Sequence, residues 1–223
     1  MAAAGPWAAG SIPDLAFAVT GAGRLEYAAV PTLRLALGIS SAGAAVRSIL
    51  LDVQIRIAAT RRAYGHESDD RLFELFGPRA DWGTTLRSLL WTRTTLVVPP
   101  FSGATEVDLL VPCTYDLDVA AAKYLGALRD GDVPLELLFS GSVFYSAPDG
   151  RLQTARLSWD LEAEYRLPVA VWRATMDAHF PDGAWLRLDH ESHDRLAAYK
   201  SRRALPTWAA VVDELLAAQE ERA

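Results

Sequence analysis

The sequence predicts a mainly β protein: an antiparallel β-sandwich with short helical insertions and a helical C-terminal cap. Three observations predict it. Apolar and polar residues alternate with period two over most of residues 14–166, short turn signals separate the alternating segments, and the period changes to 3.6 after Leu167. A chain of 223 residues, 51% of them hydrophobic, is long enough to bury a large core without disulfides or metal.

The alternating segments predict half-buried strands, each with one apolar and one polar face. In the second of them, Leu33, Leu35, Leu37 and Ile39 alternate with polar or small residues. Hairpin-length connections between such segments favour an antiparallel sandwich over a parallel sheet. The predicted strands, about seven in number, occupy residues 15–19, 32–40, 49–58, 91–98, 106–111, 135–146 and 151–162.

Turn and helix signals interrupt the alternation. Pro148-Asp149-Gly150 predicts a hairpin between the last two strands, and Ser41-Ala42-Gly43 predicts a turn after the second strand. Residues 68–76 predict a helix, with Ser68 as its N-cap and a Gly-Pro pair that ends it. Residues 119–128 predict a second short helix.

The last quarter of the chain predicts a different architecture. Its 3.6-residue period and two proline-containing breaks indicate a three-helix cap over residues 168–223. Because no long Gly or Ser linker precedes the cap, we expect it to pack on the sandwich of residues 12–167 as one structural unit. Residues 1–11 lack a charged start and a long apolar run, so they predict a disordered tail and no secretion signal.

Charge and cysteine content bound the function. The formal net charge of −6 disfavours binding to a phosphate backbone. No apolar run approaches the roughly 18 residues that a membrane span needs. The single cysteine, Cys113, suits a reducing compartment, which predicts a cytoplasmic protein. Neither a dinucleotide fingerprint nor a phosphate-binding loop occurs, so we predict no cofactor.

The segment from Cys113 to Lys123 is the strongest candidate for a catalytic site. It brings a thiol, the carboxylates of Asp116 and Asp118, and the Lys123 ammonium close together in sequence. A cysteine nucleophile needs a base that lowers its pKa, and no histidine lies nearby in sequence. The alternative is a strand-to-helix turn, in which an aspartate caps the helix and Cys113 is a small buried apolar residue. We therefore predict no catalytic activity and keep these four residues as the enzyme alternative.

Three histidines are candidate metal ligands. His190 and His193 have a spacing that can place both imidazoles on one helical face, and His179 would make a third ligand. The sequence has no His-Glu-x-x-His signature, and solvated residues at an acidic helix N-terminus explain the same pattern. We therefore predict no bound metal.

Residues 186–218 resemble a ribbon-helix-helix unit, a class that dimerises through its ribbon and reads the major groove of DNA with outward ribbon residues. In this sequence those readers would be Trp185, Arg187 and Asp189. An indole and a carboxylate beside a single arginine are poorly suited to phosphate and base contacts. DNA binding or dimerisation by this tail stays an alternative, with Trp185, Arg187 and Trp208 as candidate interaction residues.

A resemblance that extends from Leu15 onward suggests a cellular setting. The stretches that carry it are residues 111–116, 119–124, 131–134, 138–141, 167–172 and 205–208. On these stretches the sequence resembles an actinobacterial family of unknown function whose genes often accompany a nickel-iron hydrogenase cluster. The resemblance implies an accessory, assembly or regulatory protein whose partner is a hydrogenase subunit or another accessory protein, and it assigns no catalytic residue.

Overall fold

The computed structural model of the chain describes residues 12–113, 119–181 and 187–221. Within them, eight strands form two antiparallel sheets that do not close into a barrel, and six helices accompany the sheets. The predicted mainly β, antiparallel fold is confirmed. The chain divides into two compact units, Met1–Asp182 and Gly183–Ala223, and all described strands lie in the first. No helix among the described residues is long and apolar enough to cross a membrane.

The elements follow one another with a helical insertion after the third strand and another after the fifth. The strands are β1 (Asp14–Arg24), β2 (Thr32–Ala42), β3 (Val46–Ile57), β4 (Leu89–Val98), β5 (Ala104–Pro112), β6 (Asp132–Ser146), β7 (Leu152–Arg156) and β8 (Glu162–Pro168). The helices are α1 (Asp69–Phe76), α2 (Trp82–Thr85), α3 (Ala120–Ala127), α4 (Val169–His179), α5 (His190–Arg202) and α6 (Trp208–Glu220).

The first sheet has the strand order β1-β2-β5, and the second has the order β4-β3-β6 with both β7 and β8 on the far edge of β6. The turn after Ala42 carries the chain from the first sheet to the second, since β2 and β3 do not pair. The predicted hairpin at residues 148–150 is confirmed, because Ser146 of β6 pairs with Leu152 of β7.

The inward faces of both sheets form one core. Alternation decides which residues enter it, because successive side chains of a strand point to opposite faces. Phe17 of β1 stacks on Phe139 of β6 with ring centroids 4.3 Å apart, which joins the two sheets directly. The inward-facing residues of β2 and β3 are almost completely buried: Leu33, Leu35, Leu37, Ile39, Ile49, Leu51, Val53, Ile55 and Ile57.

The last predicted strand, residues 151–162, is shorter in the structure: β7 ends at Arg156, and the next strand, β8, begins at Glu162. β8 pairs with residues 132–138 of β6, and β7 pairs with residues 142–146. Between them the chain leaves the sheet, and the Trp159 side chain is 94% exposed, although the alternation had predicted an inward position. Gly141, with a φ of +137°, lies where β6 changes neighbour. Only glycine adopts that φ readily, and a Cβ at this position would overlap the backbone carbonyl of Leu50.

The insertion between β3 and β4 packs on α3 through aromatic residues. Tyr64 donates a hydrogen bond to the carbonyl oxygen of Ala59 at 2.7 Å, and its hydroxyl lies 2.7 Å from the hydroxyl of the fully buried Tyr124. Because Tyr64 has a single hydroxyl proton and donates it to Ala59, Tyr124 donates the hydrogen bond between the two hydroxyls. Desolvation on burial raises the pKa of both phenols above the usual value. Ser68 does precede α1, but it makes no capping bond, since its backbone is already helical.

The predicted C-terminal helices are all present, but they fall in both units. Helix α4 starts directly after β8, contacts β1, β2 and β8, and belongs to the first unit. Helices α5 and α6 form the second unit as a helical pair. Asp189 caps α5 by accepting a hydrogen bond from the Ser192 amide at 2.7 Å, which lowers the pKa of its carboxyl. Thr207 caps α6 in the same way.

Substitution of Gly141 tests the close approach of β6 to β3. Gly141→Ala imposes an unfavourable φ and a backbone collision at Leu50, so we expect the free energy of unfolding to fall by roughly 2–4 kcal/mol. Gly150→Ala is the matched control. Gly150 also has a positive φ, +82°, but a Cβ there would meet no atom within 4 Å. Urea unfolding monitored by circular dichroism measures both, and equal losses would contradict the collision.

The hydrogen bonds of Tyr64 and Tyr124 predict which of two substitutions lowers the free energy of unfolding more. Tyr124→Phe removes one hydrogen bond and should cost about 1 kcal/mol in urea unfolding. Tyr64→Phe removes the acceptor of the buried Tyr124 hydroxyl and the donor to Ala59, so it should cost more, about 1–3 kcal/mol. A larger loss for Tyr124→Phe than for Tyr64→Phe would show that the donor assignment is wrong.

Candidate functional site

A cavity of about 390 Å³ opens at one end of the sandwich, where the start of β4, the end of β5, α3 and α4 meet. Its volume lies in the range of small-ligand or side-chain binding pockets. We name it the tryptophan pocket. Its described lining residues are Val30, Trp91, Thr92, Pro112, Cys113, Val119, Ala121, Ala122, Leu125 and Trp172.

An irregularity in β4 brings Trp91 to the pocket. Thr92 pairs with Ile55 and Leu90 pairs with Arg56, so Trp91 is an extra residue without a partner in β3. Such a bulge turns a side chain away from its regular direction. In a regular strand Trp91 and Thr92 would point to opposite faces, yet both line the tryptophan pocket.

The second tryptophan comes from α4. Val169, Trp172 and Met176 recur at helical spacing, and all three are buried against the first unit's core. Opposite them, the small side chains Ala121 and Ala122 of α3 leave the space that the cavity occupies. The pocket therefore results from small residues of α3 lying near two large indoles.

Cys113 lies in the wall of the pocket, immediately after β5. Its amide donates a hydrogen bond to the carbonyl oxygen of Pro31 at 2.7 Å, and its sulfur lies 3.6 Å from the carbonyl oxygen of Val111. The residue is buried, and desolvation raises the pKa of the thiol to about 12. Because the thiolate is the reactive form, the thiol is held in its unreactive state at neutral pH.

The described lining of the pocket is uncharged. None of its described lining residues carries a charged side chain, and Thr92 and Cys113 supply its side-chain polar atoms. At the rim, Val30 and Val119 are exposed and extend the apolar surface outward. Such a surface binds an apolar group, and its described side chains include no acid or base that could transfer a proton at neutral pH.

The two described residues of the enzyme alternative, Cys113 and Lys123, have different surroundings in the structure. Cys113 faces the tryptophan pocket, whereas Lys123 of α3 forms an ion pair with Glu74 of α1. Asp116 and Asp118 lie outside the described residues. Of the two described residues, Cys113 lies at the pocket, and Lys123 lies in the contact between α3 and α1.

The candidate metal ligands fall in both units. His179 ends α4 and has one ring nitrogen 3.1 Å from the carbonyl oxygen of Thr175 and the other 3.1 Å from that of Ala28. His190 begins α5, and the ring of His193 lies 5.7 Å from that of Trp208. No group of three His, Cys, Asp or Glu side chains within the described ranges has the geometry of a metal site.

The candidate interaction residues belong to the second unit. Trp185 and Leu186 fall outside the described residues. The rest of the predicted ribbon, residues 187–189, lies outside regular structure, and Arg187 is exposed. Trp208 begins α6, where the Lys200 ammonium lies 5.9 Å from its ring centroid. The helical part of the predicted unit is therefore present within the described residues.

The sequence analysis missed Trp91, Val30 and the pocket itself. The sequence analysis placed Trp91 at the start of a predicted strand. The neighbouring residues do not indicate the bulge that changes the direction of its side chain. Trp172 lies in the predicted helical cap, but a 3.6-residue period does not tell which of its apolar residues borders a cavity. A tryptophan at the start of a strand, followed by several β-branched residues, is the one available signal.

The structure defines a mainly β protein of two antiparallel sheets with an apolar cavity beside α3 and α4. The chain matches the family of unknown function DUF6084 over residues 12–223, and it belongs to that family. No curated protein matches.

Solved structures of low similarity complete the comparison. A protein described as late embryogenesis abundant (LEA) is 16% identical, with 70% of this chain and 73% of that chain covered and a TM-score of 0.31. β-Glucosidase 3B of Thermotoga neapolitana is 13% identical, with 69% of this chain and 17% of that chain covered and a TM-score of 0.26. A β-glucosidase of Kluyveromyces marxianus is 11% identical, with coverages of 69% and 15% and a TM-score of 0.22.

Thiol labelling tests the environment of Cys113. With its pKa raised to about 12, the folded protein holds far less thiolate at pH 8 than the unfolded chain does. We expect Ellman's reagent to react roughly a hundredfold or more slowly with folded protein than with protein in urea. The chain has one cysteine, so the absorbance reports on this residue alone. Equal rates would show that the thiol is accessible and ionised.

Proposed function

We propose that this protein is a non-catalytic accessory protein that binds another protein, and that the tryptophan pocket receives an apolar side chain of the partner. The observation that carries the proposal is the composition of the pocket: two indoles and aliphatic side chains, no charged side chain among the described lining residues, and an exposed aliphatic rim. Pockets of this kind receive the anchor residues that dominate protein interfaces.

The energetics favour an apolar anchor. Full burial of a leucine or phenylalanine side chain contributes roughly 1.5–3 kcal/mol relative to exposure. Contact of the rim residues Val30 and Val119 with the partner would exclude water from around the anchor. In known interfaces, the energetically important contacts are surrounded by residues that exclude water in this way. A charged substrate would lose hydration in this pocket without gaining a charged partner from its described lining.

The state of Cys113 supports a non-catalytic role. Its pKa of about 12 keeps the thiol protonated at neutral pH, so it does not serve as a nucleophile there. The Lys123 ammonium, the other described residue of the enzyme alternative, pairs with Glu74. What these residues do instead is structural: Cys113 fills the pocket wall, and Lys123 joins α3 to α1.

The resemblance of the sequence to hydrogenase-associated actinobacterial proteins suggests the partner. We propose a subunit or accessory protein of a nickel-iron hydrogenase, met in the cytoplasm, where a lone unpaired cysteine stays reduced. In that setting the protein would assist assembly of the hydrogenase or regulate it.

Binding by rim variants tests this function. Purified hydrogenase heterodimer, encoded in the same genome, is titrated into the full chain in a calorimeter. We expect Val30→Glu and Val119→Glu each to weaken binding by about tenfold or more, because each places a charge where the partner removes water. Both side chains are exposed, so folding should be unaffected. The matched control is Val97→Glu. Val97 is an exposed residue of β4 that does not line the pocket, so this variant should bind as the wild type does.

Three outcomes would contradict the proposal. Absence of binding by the wild-type chain would remove the hydrogenase as partner. Equal loss in Val97→Glu would show that added negative charge, and not the pocket, weakens binding. Salt-sensitive binding of a duplex oligonucleotide, lost on Arg187→Ala, would favour the DNA-binding alternative.

A further inference from the structure

Helix α6 carries an apolar stripe that its own unit leaves open to solvent. Trp208, Val212, Leu215 and Leu216 recur at helical spacing on one side of the helix, and they are 47%, 52%, 41% and 59% exposed. Val211 is the one residue of α6 that is buried. Together the four exposed residues cover about 100° of the helix surface, the width of a face that normally packs against another element.

The two helices of the second unit carry opposite charge. Helix α6 contains Asp213, Glu214 and Glu220 and no cation, whereas the end of α5 is rich in Lys and Arg. Glu214 is engaged within the pair, since Arg203 contacts it at 2.5 Å and Tyr199 donates to it at 3.0 Å. Four other charged side chains of the pair, Arg195, Arg202, Asp213 and Glu220, form no ion pair with a described residue.

A groove of about 480 Å³ runs beside the stripe. Leu196 and Tyr199 of α5 and Leu215 of α6 supply its apolar lining, and Arg195 and Arg202 supply its cationic lining. Leu215 thus belongs both to the groove and to the exposed stripe. The stripe and groove form one continuous surface, which is apolar in the middle, basic on the α5 side and acidic on the α6 side.

We propose that this surface binds a second copy of the same chain, so that two α5–α6 pairs form an antiparallel four-helix arrangement with two-fold symmetry. The charge distribution selects this occupant. A two-fold axis brings the acidic side of each α6 to the basic side of the other copy's α5, and it satisfies both contacts at once. A nucleic acid would meet Asp213 and Glu220 beside the arginines, and a uniformly acidic or basic protein would be repelled by one of the two helices.

Self-association explains why the stripe is apolar. In a four-helix arrangement, the stripes of the two α6 helices face each other and lose their contact with water. Asp213 and Glu220 of one copy then approach Arg195 and Arg202 of the other at the rim of the apolar contact. This site is separate from the tryptophan pocket, so loss of self-association and loss of partner binding at the pocket are distinguishable.

Sedimentation equilibrium of the full chain, over a series of protein concentrations, tests the proposal. We expect a mass that rises from 24.3 kDa toward twice that value. Leu216→Glu should raise the dimer dissociation constant by about tenfold or more, because it places a charge in the apolar contact. Ala217→Glu is the matched control: it adds the same charge to the neighbouring exposed position, on the opposite side of α6, and should leave the constant unchanged.

A charge exchange tests the two-fold pairing. Arg195→Glu with Arg202→Glu makes both helices acidic, and Asp213→Arg with Glu220→Arg makes both basic, so each double variant alone should dimerise about tenfold or more weakly. An equimolar mixture of the two should recover dimers, because each copy then meets its opposite charge in both contacts.

Each contrary result overturns the proposal. A wild-type mass of 24.3 kDa at the highest concentration would exclude the dimer. Full dimerisation of Leu216→Glu would place the contact elsewhere, and equal weakening by Ala217→Glu would make the effect one of net charge. A mixture of the charge variants that stays monomeric would exclude the two-fold arrangement. Circular dichroism of every variant verifies that its helices are intact.

Discussion

Burial of the apolar faces of β2 and β3 in one core is the constraint on which the rest of the fold depends. These strands are interior strands of different sheets, and along most of each one buried positions alternate with half-buried or exposed ones. A shift of either strand by one residue would move its leucines and isoleucines to the surface, so burial fixes the register. β1 and β5 pair with β2, β4 and β6 pair with β3, and β7 and β8 extend the second sheet from β6. The insertion with α1 and α2 joins two strands of the second sheet, whereas α3 lies where the chain passes from the first sheet to the second.

The tryptophan pocket and the exposed face of α6 are two kinds of apolar surface that no other described part of the protein covers. In the pocket, small side chains of α3 lie near large rings held by rigid elements, so the cavity is built into a packed unit. On α6, a complete helix face lies exposed on a short helical pair that has little core of its own. The first suits an anchor side chain, and the second suits another helix pair of matching charge.

The sequence predicted those parts of the structure that follow from local periodicity. Alternation located β2 and β3, the Pro-Asp-Gly turn located the β6–β7 hairpin, and the 3.6-residue period located α4 to α6. It could not predict the bulge at Trp91 or the break near Trp159, because both depend on the neighbouring strand. The sequence analysis included burial of Cys113 as one alternative, and the residue is buried. Its position beside a cavity could not be predicted, because the cavity depends on how α3 and α4 are arranged in space.

The exchange of neighbours along β6 has a consequence for the order of synthesis and folding. β6 pairs with β3 over most of its length, but the first half of its other edge pairs with β8, the last strand among the described residues. Once residue 156 has left the exit tunnel, β7 can form a local hairpin with β6, but the other half of that edge still presents unpaired amides and carbonyls. Completion of the second sheet therefore waits for residue 168 to leave the exit tunnel, and the nascent protein is most prone to edge-to-edge association just before that point.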